Sequence, residues 1–149
     1  MEPIVLAYIG IGLMVALTGI GSAIGLAACG CATVGAIKKN PAGFGNCMIL
    51  SALPSTQGIY GFIGFYLMLP TLTTDMLGWL PAAAVFGTGL ALGLVGIMSA
   101  IQQGRVCASG ITAIGSGHNV FSNTLILAAF PELYAIIALL VVILVNGTL

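Results

Sequence analysis

Glu132 stands in "LILAAFPELYAIIALLVVILV", residues 125–145, a run with no other charged residue. A charged side chain at the bilayer centre costs roughly 2.5–3.5 kcal/mol on insertion scales, so such a residue marks a functional site by default. Counting along helices from the two short turns of the chain places other polar groups at its depth. Glu132 lies about fourteen residues past the centre of the second turn, and Gln103 about as far before it. Ser55, Thr56, Gln57 and Tyr60, in "LPSTQGIY", lie at matching depth past the first turn. One slab therefore offers a carboxylate, two amides, two hydroxyls and a phenol. Pro54 and Pro131 fall in the same slab. Neither can donate to the carbonyl four residues back, Leu50 and Leu127, so backbone oxygens are freed there too.

These are hard oxygen donors around one negative charge. No His or Cys joins them, which argues against zinc, copper or iron. One carboxylate is too little charge for an ordinary calcium site. A small monovalent cation fits, with amide and hydroxyl oxygens replacing its water. A proton fits as well, because an apolar setting favours the neutral form of a carboxyl group. It needs only the carboxylate and one partner, so the extra amides and hydroxyls favour sodium. Arg105 could neutralise Glu132, but two residues turn a helix by about 200°. It therefore points away from Gln103 and is read as snorkelling toward the turn.

The elements that position this slab are membrane helices. The chain is 60% hydrophobic and 4% charged over 149 residues, against about 25% charged in an ordinary soluble domain. The net charge is zero, so nothing points to a nucleic-acid partner. Apolar segments cover residues 4–37, 47–69, 82–114 and 124–146. The second and fourth just cross a core of about 30 Å, and the first and third overrun it. "MEPIVLAYIG" has no basic stretch, so the first segment is expected to be retained rather than cleaved. Cys29, Cys31, Cys47 and Cys107 read as small buried helix residues, and His118 is given no role. Trp79 is of an interfacial type. Lys38, Lys39 and Arg105 sit toward the two short turns, with Glu2 and Asp75 on the other side. The positive-inside rule puts both turns in the cytoplasm and both termini outside.

A shift of 77 residues lays the chain on itself. "LTGIGSAI" (17–24) falls on "LVGIMSAI" (94–101) with six of eight identical, and Pro54 falls on Pro131. The fold is expected to be all-α: a single membrane domain of four transmembrane helices over residues 1–149. Two tandem, parallel-repeat hairpins make it up, at about 4–69 and 81–146. The copies differ where the chemistry lies: Ser55 matches Glu132 and Leu26 matches Gln103. The first and third helices are glycine-rich, with G-x-x-x-G steps at Gly21–Gly25 and Gly89–Gly93. Such helices approach closely in lipid. They suit the inner wall of a ring, with bulkier helices outside.

"LPSTQGIYGF", "AIQQGR" and "LILAAFPELYAIIALL" resemble the membrane-rotor proteolipid of V-type and A-type ATPases, in its duplicated, four-helix form. The resemblance covers essentially the whole chain. It implies a homo-oligomeric ring in the cell membrane, turned by a soluble ATP-hydrolysing motor. It implies a stator subunit that supplies an arginine and central-stalk subunits at the cytoplasmic turns. Glu132 would be the ion-carrying residue. In the sodium-pumping branch the matching ligands are the Leu53 carbonyl, Thr56, Gln57, Gln103 and Glu132, with Tyr60 locking the carboxylate. Gln103 is preferred to Gln102 because Gly104 and a basic residue follow it, as in that family. The chain has no P-loop, so it is expected to hydrolyse nothing and to hold no cofactor, only transported Na+ or H+. The competing readings are a small cation or multidrug antiporter, which should surround its acid with aromatics, and a non-transporting scaffold in which Glu132 only joins helices. Under the rotor reading, one acid per four helices means few ions per turn, a gearing suited to pumping. A measured ratio of ions to ATP well above that of single-hairpin rings would exclude that gearing.

Overall fold

A computed structural model describes residues 2–72 and 78–149. Asp75, assigned above to the side opposite the basic residues, lies outside the described residues. Helix α1 runs Pro3–Lys39, α2 Phe44–Ala52, α3 Thr56–Leu72, α4 Trp79–Gly115 and α5 Phe121–Asn146. No strand occurs among the described residues. The fold is all-helical, as the apolar runs require: with no water available, a spanning backbone must bond to itself.

Three of these helices, α1, α4 and α5, are each long and apolar enough to cross a bilayer. The remaining expected span is not one helix. It is α2 and α3 joined through a 3-10 turn, Leu53–Ser55, with Pro54 at its start. Pro131 sits inside α5 without breaking it. The same residue type at matching positions thus has two outcomes. Pro54 is buried against α1, where a Cβ added to Gly25 would lie 2.7 Å from its own Cβ, whereas Pro131 is half-buried.

The helix ends follow local chemistry. Pro3 opens α1, where its missing N–H costs nothing, and Lys38 and Lys39 close it, where the helix dipole favours cations. Asn40 donates to the Ile114 carbonyl at 2.9 Å and ties the first turn to the end of α4. There Gly117, at φ +89°, forms a Schellman cap: its N–H bonds Ile114 and that of His118 bonds Ala113. Helices α3 and α4 both reach into the stretch between the second and third apolar segments, residues 70–81, taking in Pro70 and Trp79. Trp79 is exposed.

Glycine sets the packing. A Cβ on Gly21 would lie 2.5 Å from the Ile97 Cα, on Gly104 2.6 Å from the Gly25 Cα, and on Gly115 2.7 Å from the Ala36 Cα. α1 and α4 therefore touch backbone to backbone along their length. α3 closes on α1 over side chains instead, with Gly61 against Thr18 and Gly64 against Met14. Two apolar clusters result. One joins Ala7, Met14, Met68, Val85, Leu92 and Val142. The other, nearer the short turns, joins Cys29, Cys47, Leu50, Cys107, Ile111 and Ala128. Cys29, Cys47 and Cys107 are buried as expected, but Cys31 is exposed, because it falls on the face of α1 that no other helix covers.

Gly21→Val should force α1 from α4 and lower stability by about 1–3 kcal/mol. Gly45, which has open space around it, should accept Ala with no loss. Thermal unfolding of the two purified variants in detergent checks this. Equal midpoints would mean that the close approach is not what holds the helices together.

Candidate ion-binding site

Between the two apolar clusters lies a layer of polar side chains, and Glu132 is its terminus. Both carboxylate oxygens are engaged. The Tyr60 hydroxyl donates to Oε1 at 2.7 Å, and Gln103 Nε2 donates to Oε2 at 2.9 Å. Tyr60 comes from α3, Gln103 from α4 and Glu132 from α5, so three helices meet at one carboxylate.

The amides are saturated in turn. Gln103 spends its second N–H on the Ala128 carbonyl at 3.0 Å, and its oxygen accepts from Gln57 Nε2 at 2.9 Å. Gln57 gives its other N–H to Ser99 Oγ at 3.1 Å. Ser99 donates its hydroxyl proton to the Pro131 carbonyl at 2.8 Å. Gln57 and Gln103 are fully buried, and no buried side-chain nitrogen or oxygen among the described residues lacks a partner. An unpaired buried amide costs about 1–3 kcal/mol, so this closure is what makes the layer tolerable.

The broken helix supplies the remaining oxygens. The 3-10 turn leaves the Leu53 carbonyl accepting the Thr56 N–H, and Thr56 Oγ1 lies 3.1 Å from the same carbonyl. Thr56 Oγ1 is also 3.3 Å from Gln57 Oε1. A hydroxyl has one proton and cannot serve both acceptors at once. The first turn of α3 is held from α1, where Ser22 Oγ accepts the Gly58 N–H at 2.8 Å.

All six residues singled out above (Leu53, Thr56, Gln57, Tyr60, Gln103 and Glu132) thus stand in one connected set. Ser55 does not: its hydroxyl turns back to the Ala52 carbonyl at 2.6 Å. The second hydroxyl of the layer is Ser99, which the sequence reading missed. The signal was available, because Ser99 matches Ser22 in the best-preserved stretch of the repeat. Gln103 rather than Gln102 faces Glu132. Arg105 is exposed and donates to Gln102 Oε1 at 3.3 Å, away from the carboxylate. No group of three or more His, Cys, Asp or Glu that could hold a metal occurs among the described residues.

The family model for the C subunit of ATP synthase matches residues 9–68 and again 86–145. Both ends of the two matches stand 77 residues apart, the shift at which the sequence repeats. The chain belongs to the ATP synthase C-subunit family. Relatives agree. It is 37% identical over 144 residues to the A-type ATP synthase subunit K of Methanocaldococcus jannaschii, covering 97% of this chain and 63% of that one. It is 33% identical over 137 residues to the V-type sodium ATPase subunit K of Enterococcus hirae, covering 92% of this chain and 87% of that one. The chain therefore spans a little under two thirds of the first relative. Membership of this family, with its apolar helices, makes the protein membrane-embedded.

Ser99→Ala should leave one N–H of Gln57 without its acceptor, lowering stability by about 1–3 kcal/mol. Ser109→Ala, at an exposed hydroxyl bonded within its own helix, should change it little. Thermal unfolding of both variants tests whether Ser99 belongs to the network.

Proposed function

We propose that this chain is the rotor-ring subunit of a rotary V/A-type ATPase, carrying sodium across the membrane on Glu132. The observation that carries the reading is the buried oxygen set beside a carboxylate whose two oxygens are both held. A cation with oxygens about 2.4 Å away, as for calcium, has neighbouring ligands about 3.4 Å apart. Thr56 stands at nearly that spacing from two oxygens. Thr56 Oγ1, the Leu53 carbonyl and Gln57 Oε1, joined by the Gln103 amide oxygen and Glu132, would make a five-oxygen shell for Na+ as cargo. The Tyr60 hydroxyl holds Oε1 of Glu132, leaving Oε2 as the oxygen on the amide side. The sodium ATPase relative supports sodium over the proton.

Transport follows from electrostatics. Loaded, the site is neutral and passes the lipid face. Emptied, it leaves an anion in low dielectric, which must meet a positive partner; that partner is an arginine on a separate stator subunit. Ion exchange then requires rotation. The copies form a ring, and ATP hydrolysis belongs to other subunits. Lys38, Lys39 and Arg105 lie toward the ends that bear the short turns. That asymmetry supports an orientation with those turns in the cytoplasm, against central-stalk subunits, and both termini outside the cell membrane.

The purified assembly, treated with a carbodiimide at fixed pH, should become labelled at Glu132, and sodium should protect it. Gln103→Leu should weaken that protection by about 10–100-fold, the usual cost of disturbing a metal site. Mass spectrometry of the labelled peptide reads both. Labelling that depends on pH and not on sodium would replace sodium by the proton, and no labelling at Glu132 would overturn the site.

A further inference from the structure

Two prolines hold equivalent places in the two hairpins, yet the helix breaks at only one of them. α5 runs through Pro131 without interruption. At Pro54 the helix stops at Ala52, tightens into the 3-10 turn and restarts at Thr56. Proline is therefore not sufficient, and the neighbouring helix supplies a further difference. Ser22 of α1 and Ser99 of α4 match at the shift of 77 residues, and each bonds the proline-bearing helix of its own hairpin. They do so in opposite senses. Ser22 Oγ accepts the Gly58 N–H at 2.8 Å, whereas Ser99 Oγ donates to the Pro131 carbonyl at 2.8 Å. In an unbroken α-helix the Gly58 N–H would go to the Pro54 carbonyl, as that of its repeat equivalent Ala135 goes to Pro131. One serine takes the donor of that bond. The other adds a proton to its acceptor, whose second lone pair leaves the bond in place.

A restarted helix has N–H groups in its first turn with no partner inside the helix. A hydroxyl just before the helix normally accepts one of them, from the second or third helical residue. Ser55 stands at that place, but its hydroxyl donates to the Ala52 carbonyl at 2.6 Å. Gly58 is the third residue of α3, and buried Ser22 caps it from another helix. The approach is close: a Cβ on Gly58 would lie 3.2 Å from Ser22 Oγ. What the cap preserves is a backbone oxygen. Within the turn the Leu53 carbonyl accepts the Thr56 N–H and lies 3.1 Å from Thr56 Oγ1. In a mended helix it would accept the Gln57 N–H along the axis, as its equivalent at Phe130 does within α5. Resting on the sodium reading above, we propose that Ser22 is a positioning residue for the ion. By capping α3 from α1 it keeps the turn from mending and holds the Leu53 carbonyl and the Thr56 hydroxyl toward the cation. Sodium affinity thereby depends on α1, a helix that lends no group to the carboxylate.

The test compares Ser22→Ala with Thr33→Ala in the purified assembly of full chains. Thr33 also lies on α1 and bonds the neighbouring helix, its hydroxyl 2.7 Å from Ser51 Oγ, but it touches neither α3 nor the ion ligands. In Ser22→Ala the Gly58 N–H returns to the Pro54 carbonyl. The sodium concentration that half-protects Glu132 from carbodiimide should then rise about 10–100-fold, the usual cost of disturbing an outer partner of a metal site. The pH dependence of labelling without sodium should stay as in the parent chain, because Tyr60 and Gln103 still hold the carboxylate. Thr33→Ala should match the parent in both measurements. Ser22→Ala protected at the parent's sodium concentration overturns the proposal. So does an equal weakening in Thr33→Ala, which is a general loosening of α1, or a displaced pH profile in Ser22→Ala, which puts the effect on the carboxylate itself. If Ser22→Ala does not assemble, Ser22→Cys keeps a side chain there with only a weak acceptor, and the same outcomes decide. A parent chain that sodium does not protect overturns the sodium reading, and this role with it.

Discussion

The fold is organised around a carboxylate that must keep both oxygens bonded among apolar helices. That demand propagates. Glu132 needs Tyr60 and Gln103; Gln103 needs Ala128 and Gln57; Gln57 needs Ser99; Ser99 needs Pro131. Each donor brought in to satisfy one group is itself a buried polar group that has to be satisfied. The chain of dependence ends at two backbone carbonyls of α5, the helix that carries Glu132, and so closes on itself. A network of this kind is stabilising when complete and worse than an apolar core when one member is missing, which ties three separate helices to one geometry.

Holding the network requires α3, α4 and α5 to meet at one depth, and the glycines make that possible. Backbone contact between α1 and α4 sets the position of α4, and the contacts of Gly61 and Gly64 set α3 on the same support. α1 supplies no side chain to the carboxylate. Its part is to be thin on two sides at once, and Ser22 pins the start of α3 where the helix has just been broken. The apolar clusters above and below the layer exclude water from it, which strengthens every hydrogen bond inside.

Much of this was legible in the sequence because helices convert residue counts to depth at a fixed rise. Two short turns and a count along each helix were enough to bring Gln57, Gln103, Tyr60 and Glu132 to one level. Direction around the helix was harder. Ser55 and Thr56 have the same depth and similar chemistry, yet one turns to its own helix and the other to Gln57. The difference arises from the 3-10 turn, and Pro54 alone does not announce it, since Pro131 leaves α5 unbroken. Ser99 went unread for another reason: a serine among glycines and alanines in a membrane helix looks like a packing residue until its partners are known.

The repeat shows how such a site can be absent from half of a duplicated protein without harm. Removing the acid alone would leave donors aimed at nothing. In the first hairpin Glu132 is answered by Ser55, which bonds its own helix. Gln103 is answered by Leu26, and Tyr60 by Ile137 of the second hairpin. Acid and donors are absent together, so no donor is left aimed at a missing acid. The hairpin packing survives because it rests on the close contacts of Gly10, Gly21, Gly25 and Gly89, which contribute no side chain to the polar network. Function and fold are carried by different residues, and one could be halved while the other was kept.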